Sequence, residues 1–177
     1  LYDNARKTQI ELGCPPKRCR VIPNGIHYER FCDIPLKKED GWIDIGAILR
    51  LAPIKDVKTL IYAFYELRFR MQNVRLHIIG PEDDEQYAAE CYALVEQLGV
   101  QEVIFTGMTN ILTYMEKLDF TILTSISEGQ PLSVLESFAA GRPCITTHVG
   151  CCRALLNGTA GDALGCPGIC TPPIGRE

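Results

Sequence analysis

Short apolar runs alternate with amphipathic segments along most of the chain, and the two patterns predict different elements. Runs such as Val74–Ile79, which is closed by Gly80 and Pro81, have the length and composition of buried strands. In Glu85–Leu98 apolar residues recur every three or four positions and Gly99 follows as a stop signal, which predicts a helix. The same criteria predict strands at residues 43–49, 74–79, 103–105, 120–123, 143–147 and 169–172, and helices at residues 1–12, 58–71, 85–98, 110–118, 132–140 and 152–156.

This alternation predicts an α/β fold, a doubly wound, Rossmann-like parallel sheet with helices on both faces. The polar, irregular stretch before the first long strand assigns residues 1–42 to an entry and linker segment and residues 43–177 to the domain. The chain starts at Leu1 rather than at Met, which favours a fragment of a longer protein. Ligands of such sheets bind beyond the carboxyl ends of the strands, so function is expected in the loops that follow them.

Composition narrows the partners of this domain. The net charge of −4 leaves no basic face for a nucleic acid, so no nucleic-acid partner is expected. The nine cysteines include no C-x-x-C pair and the three histidines lie far from any cysteine cluster, so no metal site is predicted. An odd number of cysteines without an apolar signal segment favours reduced thiols in the cytoplasm, with Cys91 and Cys144 as small core residues.

Two cations follow the first strand of the predicted domain. Arg50 and Lys55 lie five residues apart in the loop that leads into the next helix. A diphosphate needs charge-assisted hydrogen bonds from more than one direction, each contributing roughly 1.5–3 kcal/mol, and this pair could supply them. Taken alone, the two residues are better explained as ordinary solvated side chains.

The loop at residues 125–136 leads from a strand through a glycine-bearing turn into a helix, with Pro131 expected at the first helical position. The free N–H groups of such a first turn suit a phosphate, although the helix dipole adds only about 0.3–1 kcal/mol. Glu136 lies one turn further in, roughly 6 Å beyond the helix start, where a carboxylate could accept both hydroxyls of a ribose. Glu136 is also compatible with a solvent-facing helix residue, and Glu128 with an acidic residue favoured near a helix N-terminus. The loop at residues 148–153 could close one wall of the same pocket.

These residues resemble the GT4 family of retaining glycosyltransferases, which have the two-Rossmann-domain architecture called GT-B. Glu128 and Glu136 match the E-x7-E element of that family, and Gly46, Arg50 and Lys55 resemble its G-R-x4-K-G signature. Residues 22–26 resemble the segment that precedes the C-terminal domain of these enzymes. The chain is therefore expected to be the C-terminal, nucleotide-sugar-binding half of such an enzyme, truncated at its C-terminus and without its N-terminal acceptor domain.

The resemblance implies three catalytic residues. Arg50 and Lys55 would neutralise the diphosphate as it leaves, which replaces a metal ion, so no cofactor is expected. Glu128 would contact hydroxyls of the donor sugar.

The resemblance also implies a nucleotide-binding set. Glu136 would hold the ribose, and Gly107 and Met108 would flank the base. Backbone donors would come from the first turn and the residues before it, namely Gly129, Gln130, Pro131, Leu132 and Ser133.

Several phrases of the sequence, at residues 53–59, 79–83 and 123–128, resemble the PelF group of cytoplasmic glycosyltransferases in Pel exopolysaccharide biosynthesis. That resemblance implies UDP-glucose as the sugar donor, a growing polysaccharide as acceptor and a membrane-associated synthase complex as partner. It also implies that the present chain alone transfers no sugar.

Three departures from the family pattern affect the site. Three residues separate Gly46 from Arg50, Asp56 replaces the glycine after the lysine, and Cys151 stands where many relatives have glycine.

Two other classes of function remain open at this stage. An NAD-dependent oxidoreductase would use a similar sheet, but residues 46–51 lack the G-x-G-x-x-G pattern. A nucleotide-binding or non-catalytic interaction domain could keep the fold without catalysis. An epimerase on the related two-domain fold would not require the E-x7-E element.

Overall fold

Six parallel strands form one sheet in the computed structural model, which describes residues 3–157 and 168–171. The strands are β1 (Ile43–Ile48), β2 (Val74–Ile79), β3 (Val103–Gly107), β4 (Phe120–Leu123), β5 (Cys144–Thr147) and β6 (Gly168–Thr171). Their order across the sheet is β3-β2-β1-β4-β5-β6, and every neighbouring pair is parallel. The predicted doubly wound, Rossmann-like fold is therefore confirmed.

The helices follow the predicted alternation. They are α1 (Asp3–Glu11), α2 (Val57–Arg68), α3 (Glu85–Leu98), α4 (Ile111–Met115), α5 (Leu132–Ala139) and α6 (Cys152–Asn157), with 3₁₀ turns at Pro16–Arg18, Tyr28–Arg30 and Pro53–Lys55. Residues 1, 2 and 172 of the predicted end elements lie outside the described residues, as do residues 158–167 and 173–177 of the predicted domain.

Local signals explain why some boundaries agree with prediction and others do not. The bounds of α3 are those predicted, because Asp84 accepts a hydrogen bond from the Tyr87 N–H (2.9 Å) and Gly99 adopts a φ of 65° just after the helix. The prediction for Pro131 was wrong by one position, since Pro131 is the N-cap with an extended backbone and α5 begins at Leu132. Strand β3 runs two residues further than predicted because it keeps its pairing with β2 past a register shift.

Alternate residues of the central strands face opposite sides of the sheet. On one side Ile45 and Ala47 of β1, with Leu49 just after the strand, pack with buried residues of α2 and α3, and Cys91 is fully buried among them. The other side meets α4, whose neighbour Leu118 is fully buried and lies where a side chain at Gly46 would collide with it. A third cluster joins α5 and α6 to β4 and β5 through Val134, Cys144 and Cys152. Cys91 and Cys144 are core residues, as predicted, and Cys152 is buried as well.

The segment before β1 packs onto the domain. Phe31, only 4% exposed, enters the cluster formed by Met115 and Leu118. The buried guanidinium of Arg142 donates to the carbonyls of Pro35 (2.6 Å), Ala140 (2.8 Å) and Met115 (3.3 Å). Burial lowers the pKa of Arg142. The two points of attachment, Phe31 and Pro35, lie in a stretch that the sequence pattern assigned to an irregular linker.

A buried carboxylate joins this segment to the amino ends of β1 and β2. Asp44, 1% exposed, accepts two hydrogen bonds from Arg75 (2.6 and 2.7 Å) and lies 2.8 Å from the Lys37 ammonium. The ring of His77 contacts the same carboxylate (2.7 Å) and also the Tyr114 hydroxyl (2.7 Å). Burial alone would raise the pKa of Asp44, but its hydrogen bonds from Arg75, Lys37 and His77 hold that pKa well below its usual range.

The turn before α2 places a non-glycine residue in the left-handed region. Asp56 has φ 50° and ψ 48°, and its side chain makes no capping hydrogen bond to α2. This conformation explains why glycine suits the position in the family signature, since L-residues pay roughly 1–2 kcal/mol there. We expect Asp56→Gly to have a free energy of unfolding about 1 kcal/mol above that of Asp56→Ala in urea unfolding experiments. Both variants lose the same carboxylate, so equal unfolding midpoints would show that the backbone conformation costs nothing.

Candidate functional site

A cleft of about 520 Å³ opens at the carboxyl ends of β1 and β2, on the side where the strand order turns from β1 to β4. This turning point is where open α/β sheets bind ligands. The lining residues come from both strand ends, the loop after each, the start of α5 and the segment before β1: Asn24, Ile48, Leu49, Arg50, Lys55, Ile79, Gly80, Pro81, Glu128, Gln130, Pro131, Leu132, Ser133 and Glu136.

Lys55 is held in the cleft by the loop that follows β4. The Ile126 N–H donates to the Ile54 carbonyl (2.9 Å), and the Thr124 hydroxyl donates to the Lys55 carbonyl (3.0 Å). These bonds fasten the 3₁₀ turn Pro53–Lys55 against the loop after β4. The Lys55 ammonium then lies 2.5 Å from a Glu128 carboxylate oxygen, with both side chains largely buried.

Glu128 has a second partner that fixes its orientation. The buried Ser125 hydroxyl donates to the same carboxylate oxygen (2.7 Å), and the Ser125 carbonyl accepts from the Thr147 hydroxyl (2.7 Å). A lysine ammonium has three donors, so Lys55 keeps two for a ligand while Glu128 holds it in place. The other carboxylate oxygen of Glu128 has no hydrogen-bond partner among the described residues.

Arg50 is far more exposed than Lys55. Its guanidinium pairs with Asp83 (2.6 Å), a residue of the loop after β2, and both side chains are roughly half exposed. The two loops are joined by hydrogen bonds from the Asp83 and Asp84 N–H groups to the Leu51 carbonyl. Exposed ion pairs contribute about 0–1 kcal/mol, so Arg50 can leave Asp83 for a more highly charged ligand at little cost.

The first turn of α5 faces the cleft without a side-chain cap. The turn before it is fixed from outside, because the Cys151 N–H donates to the Gly129 carbonyl (3.0 Å). Gly150, at φ 54°, passes so close to the carbonyls of Glu128 and Gly129 that a Cβ would collide with both. The loop at residues 148–153 therefore supports the backbone of the Glu128 turn.

Glu136 lies one turn inside α5 and lines the same cleft. Its side chain is partly buried and has neither a hydrogen bond nor an ion pair within the described part of the chain. Burial raises the pKa of its carboxyl, an effect that the charge of Arg30 opposes. A desolvated carboxylate without protein partners is suited to accept hydrogen bonds from ligand hydroxyls.

The structure brings most of the predicted site residues to one place. Arg50, Lys55, Glu128, Gln130, Pro131, Leu132, Ser133 and Glu136 all line the cleft. Gly129 lies outside the lining, and its carbonyl accepts the hydrogen bond from the Cys151 N–H. Gly107 is outside the lining but accepts a hydrogen bond from the N–H of Gly80, which lines the cleft (3.1 Å). Met108, 81% exposed, is also outside it.

Two residues of the cleft region were missed from the sequence. Asn24 lines the cleft and binds Gln130, and Asp83 pairs with Arg50. The Pro-Asn-Gly turn was recognised only as a turn, and Asp83 only as part of a subfamily phrase. A carboxylate directly after the neighbouring strand was the available signal for Asp83.

Within residues 3–157 and 168–171 no group of three or more His, Cys, Asp or Glu side chains could hold a metal ion. None of the helices in that part of the chain has the length and apolar character needed to cross a membrane.

The family of the chain follows from sequence comparison. Residues 43–171 match the model of the family described as glycosyl transferases group 1, and the chain belongs to that family. It is 31% identical to alpha-monoglucosyldiacylglycerol synthase of Streptococcus pneumoniae, over 71% of this chain and 32% of that protein. It is 26% identical to the putative colanic acid biosynthesis glycosyltransferase WcaL of Salmonella typhimurium, over 85% of this chain and 39% of that protein.

Solved structures share the fold at lower identity. Anabaena Alr3699/HepE in complex with UDP-glucose superposes with a TM-score of 0.77 at 21% identity, over 96% of this chain and 48% of that one. A glycosyltransferase from Rickettsia africae gives the same TM-score at 17% identity and the same coverage. The chain thus spans about a third of the length of these curated relatives and about half that of the solved structures.

Proposed function

We propose that this chain is the sugar-donor-binding half of a retaining GT4-family glycosyltransferase that transfers a hexose from UDP-glucose to a growing polysaccharide or another acceptor. One observation carries the proposal: two cations, an uncapped helix start and a partly buried carboxylate without a partner among the described residues line a single cleft at the turning point of the sheet. Family membership and the UDP-glucose complex of the Anabaena protein support the choice of donor.

The diphosphate lies between Arg50 and Lys55 in this proposal. When the bond between the anomeric carbon and the phosphate oxygen breaks, negative charge grows on the leaving diphosphate. Lys55, held by Glu128 and little exposed, supplies a cation that needs no rearrangement at that moment. Arg50 exchanges Asp83 for the diphosphate, and the N–H groups at the start of α5 add further donors.

The rest of the sugar nucleotide extends to either side of the diphosphate, and its base reaches beyond the residues that line the cleft. The second carboxylate oxygen of Glu128 accepts hydrogen bonds from hydroxyls of the hexose, and Glu136 accepts hydrogen bonds from those of the ribose. Gly107 and Met108 border the base at the end of β3. No metal or other cofactor is required, because the two side-chain cations provide the neutralising charge.

The finer assignment is to a cytoplasmic enzyme of exopolysaccharide biosynthesis similar to PelF. The phrases at residues 53–59, 79–83 and 123–128 support it, as does a relative whose name refers to colanic acid biosynthesis. An N-terminal domain supplies the acceptor site, and the complete enzyme works with a membrane-associated synthase complex.

The direct test is titration of the purified 177-residue chain with UDP, UDP-glucose and NAD by calorimetry or NMR. We expect UDP to bind in the millimolar to high-micromolar range, about −4 to −5.5 kcal/mol, equally well with EDTA or Mg²⁺. Binding of NAD alone would favour an oxidoreductase. Binding of none of the three would favour an interaction domain that keeps the fold without using the cleft.

The role of Glu136 predicts a dependence on the ribose hydroxyls. Glu136→Ala is expected to weaken UDP about 10-fold or more, because charge-assisted hydrogen bonds are lost, and to leave 2′,3′-dideoxy-UDP unaffected. Since burial raises the pKa of Glu136, the preference for UDP should also fall on acidification at a higher pH than for an ordinary glutamate. Comparing the two ligands at each pH cancels the titration of the phosphate itself. Equal losses for both ligands would contradict ribose binding.

A further prediction concerns activity. The chain alone should transfer no glucose from UDP-glucose above background, because the acceptor site and other catalytic groups belong to the N-terminal domain of the proposed enzyme. A radiolabelled transfer assay with the chain and with the full-length enzyme checks this. Sugar transfer by the chain alone would refute the proposal that the acceptor site lies in another domain.

A further inference from the structure

The segment before β1 makes its most specific contact inside the cleft, 106 residues away in sequence. The Asn24 N–H donates to the side-chain oxygen of Gln130 (2.5 Å), and the Asn24 side-chain amide donates to the Gln130 carbonyl (3.0 Å). Both residues line the cleft and both are partly buried. One asparagine therefore holds the backbone and the side chain of Gln130 at once.

Gln130 directly precedes the N-cap of α5, so its position sets the start of that helix. The neighbouring Gly129 carbonyl is held from the opposite direction by the Cys151 N–H. Because the C=O and N–H of a trans peptide point in opposite directions, fixing the Gly129 carbonyl also fixes the direction of the Gln130 N–H. Asn24 and Cys151 together immobilise the two carbonyls that lead into the uncapped first turn.

The segment that carries Asn24 is itself anchored at two further points. Arg142 binds the Pro35 carbonyl, and Lys37 binds Asp44 and Asp119. Asn24 is therefore presented to Gln130 by a stretch of chain with fixed attachments to the domain.

We propose that Asn24 is a positioning residue of the sugar-donor site, which orders the Gln130 turn so that the start of α5 meets the diphosphate. The inference rests on the proposed function, since it concerns how the same cleft binds its ligand. Without the two hydrogen bonds from Asn24, the Gln130 turn samples other conformations. The affinity for the ligand then falls in proportion to the population of the conformation that can bind it.

The two hydrogen bonds can be removed separately. Asn24→Ala deletes the bond to the Gln130 carbonyl, and Gln130→Ala deletes the bond to the Gln130 side chain. Each is expected to weaken UDP about 2- to 10-fold, and the double variant more than either. Asn24→Leu keeps the volume of the side chain without its donor and should behave as Asn24→Ala. Wild-type affinity in Asn24→Leu would show that shape alone matters and would overturn the proposal.

Asn73→Ala is a matched control. Asn73 also donates its side-chain amide to a carbonyl of the same segment, that of Gly41 (2.7 Å), but it lies outside the cleft lining. We expect its UDP affinity to equal that of the wild type. The ratio of UDP to UMP affinity separates positioning from general loosening: it should shrink in Asn24→Ala, because the second phosphate relies on the α5 start, and stay constant in Asn73→Ala.

The outcomes distinguish this inference from the proposed function. If the wild type binds UDP and Lys55→Ala weakens it while Asn24→Ala does not, the inference alone is overturned. If Asn24→Ala lowers only the urea midpoint and leaves the UDP-to-UMP ratio unchanged, Asn24 is merely structural. If the wild-type chain binds neither UDP nor UDP-glucose, both proposals fail.

Discussion

Replacing both Arg50 and Lys55 by alanine is expected to weaken UDP binding by about two to four orders of magnitude. Each cation makes charge-assisted hydrogen bonds worth roughly 1.5–3 kcal/mol, so the pair contributes about 3–6 kcal/mol. Lys55→Ala should account for most of the loss, because Lys55 is 16% exposed and held in place, whereas Arg50 is 56% exposed and leaves a carboxylate partner to bind. Since the wild type is expected to bind in the millimolar to high-micromolar range, an NMR titration should find saturable UDP binding for the wild type and none for the double variant at millimolar UDP.

Lys17→Ala/Arg18→Ala is the matched control for this double variant. Both residues are exposed, both lie outside the cleft lining, and their removal changes the net charge of −4 by the same two units. We expect this control to bind UDP within about 2-fold of the wild type, since salt screens exposed charges that do not contact the ligand. Equal weakening in both double variants would attribute binding to net charge and would remove the assigned cleft. Circular dichroism checks that Glu128, left without Lys55, does not unfold the chain.

The fold was predictable from local signals wherever these were strong. The bounds of Val74–Ile79 agree with prediction because a buried apolar run ends at a Gly-Pro pair. Those of Glu85–Leu98 agree because an N-cap aspartate and a left-handed glycine delimit the helix. The stretch around Phe31 has no such period, and its packing depends on Arg142, which follows more than a hundred residues later. Contacts of that sequence separation leave no trace in a local pattern.

The location of the site was also predictable, because the carboxyl ends of parallel strands converge. That rule predicts that Arg50, Lys55 and Glu136 meet in one cleft, and all three line it. The ion pairs of the two cations were not predictable, since Glu128 and Asp83 were assigned by motif and subfamily phrase rather than by contact. The pairing of Asn24 with Gln130 was not predictable either. Asn24 is part of a Pro-Asn-Gly turn, and the turn alone accounts for an asparagine at that position without a distant partner.

Asp44 illustrates the same limit in the core. In the sequence it only interrupts an apolar strand, whereas in the structure it neutralises Arg75 and Lys37. We expect Asp44→Asn to lower the free energy of unfolding by about 3–5 kcal/mol, because two cations would remain without their common carboxylate. Native domains have stabilities of roughly 5–15 kcal/mol, so this is a large fraction of the total. Urea unfolding followed by circular dichroism measures the loss.

Asp40→Asn provides the comparison within the same network. Asp40 pairs with Lys37 (3.0 Å) and Arg75 (3.2 Å), but its side chain is 47% exposed, against 2% for that of Asp44. Exposed pairs contribute about 0–1 kcal/mol, so Asp40→Asn should cost no more than that. Adding Lys37→Met to Asp44→Asn should recover part of the larger loss by removing one of the two cations that lose the buried carboxylate. Similar losses for Asp40→Asn and Asp44→Asn would refute the special role of the buried carboxylate.

The pH dependence of stability gives an independent measure of the same carboxylate. The pKa of Asp44 is lowered in the folded state, so its contribution is complete above the unfolded value of about 3.9 and is lost as pH falls toward the folded pKa. Hydrogen bonds to Asp44, Asp119 and Asp40 raise the pKa of Lys37 although burial opposes this, so that contribution is complete below the unfolded value and is lost at strongly alkaline pH. The wild type should therefore lose stability steeply below about pH 4, and Asp44→Asn should show a flatter acid limb. Parallel acid limbs in the two proteins would mean that Asp44 titrates normally in the folded state, and the buried ion pairs would then not hold it ionised.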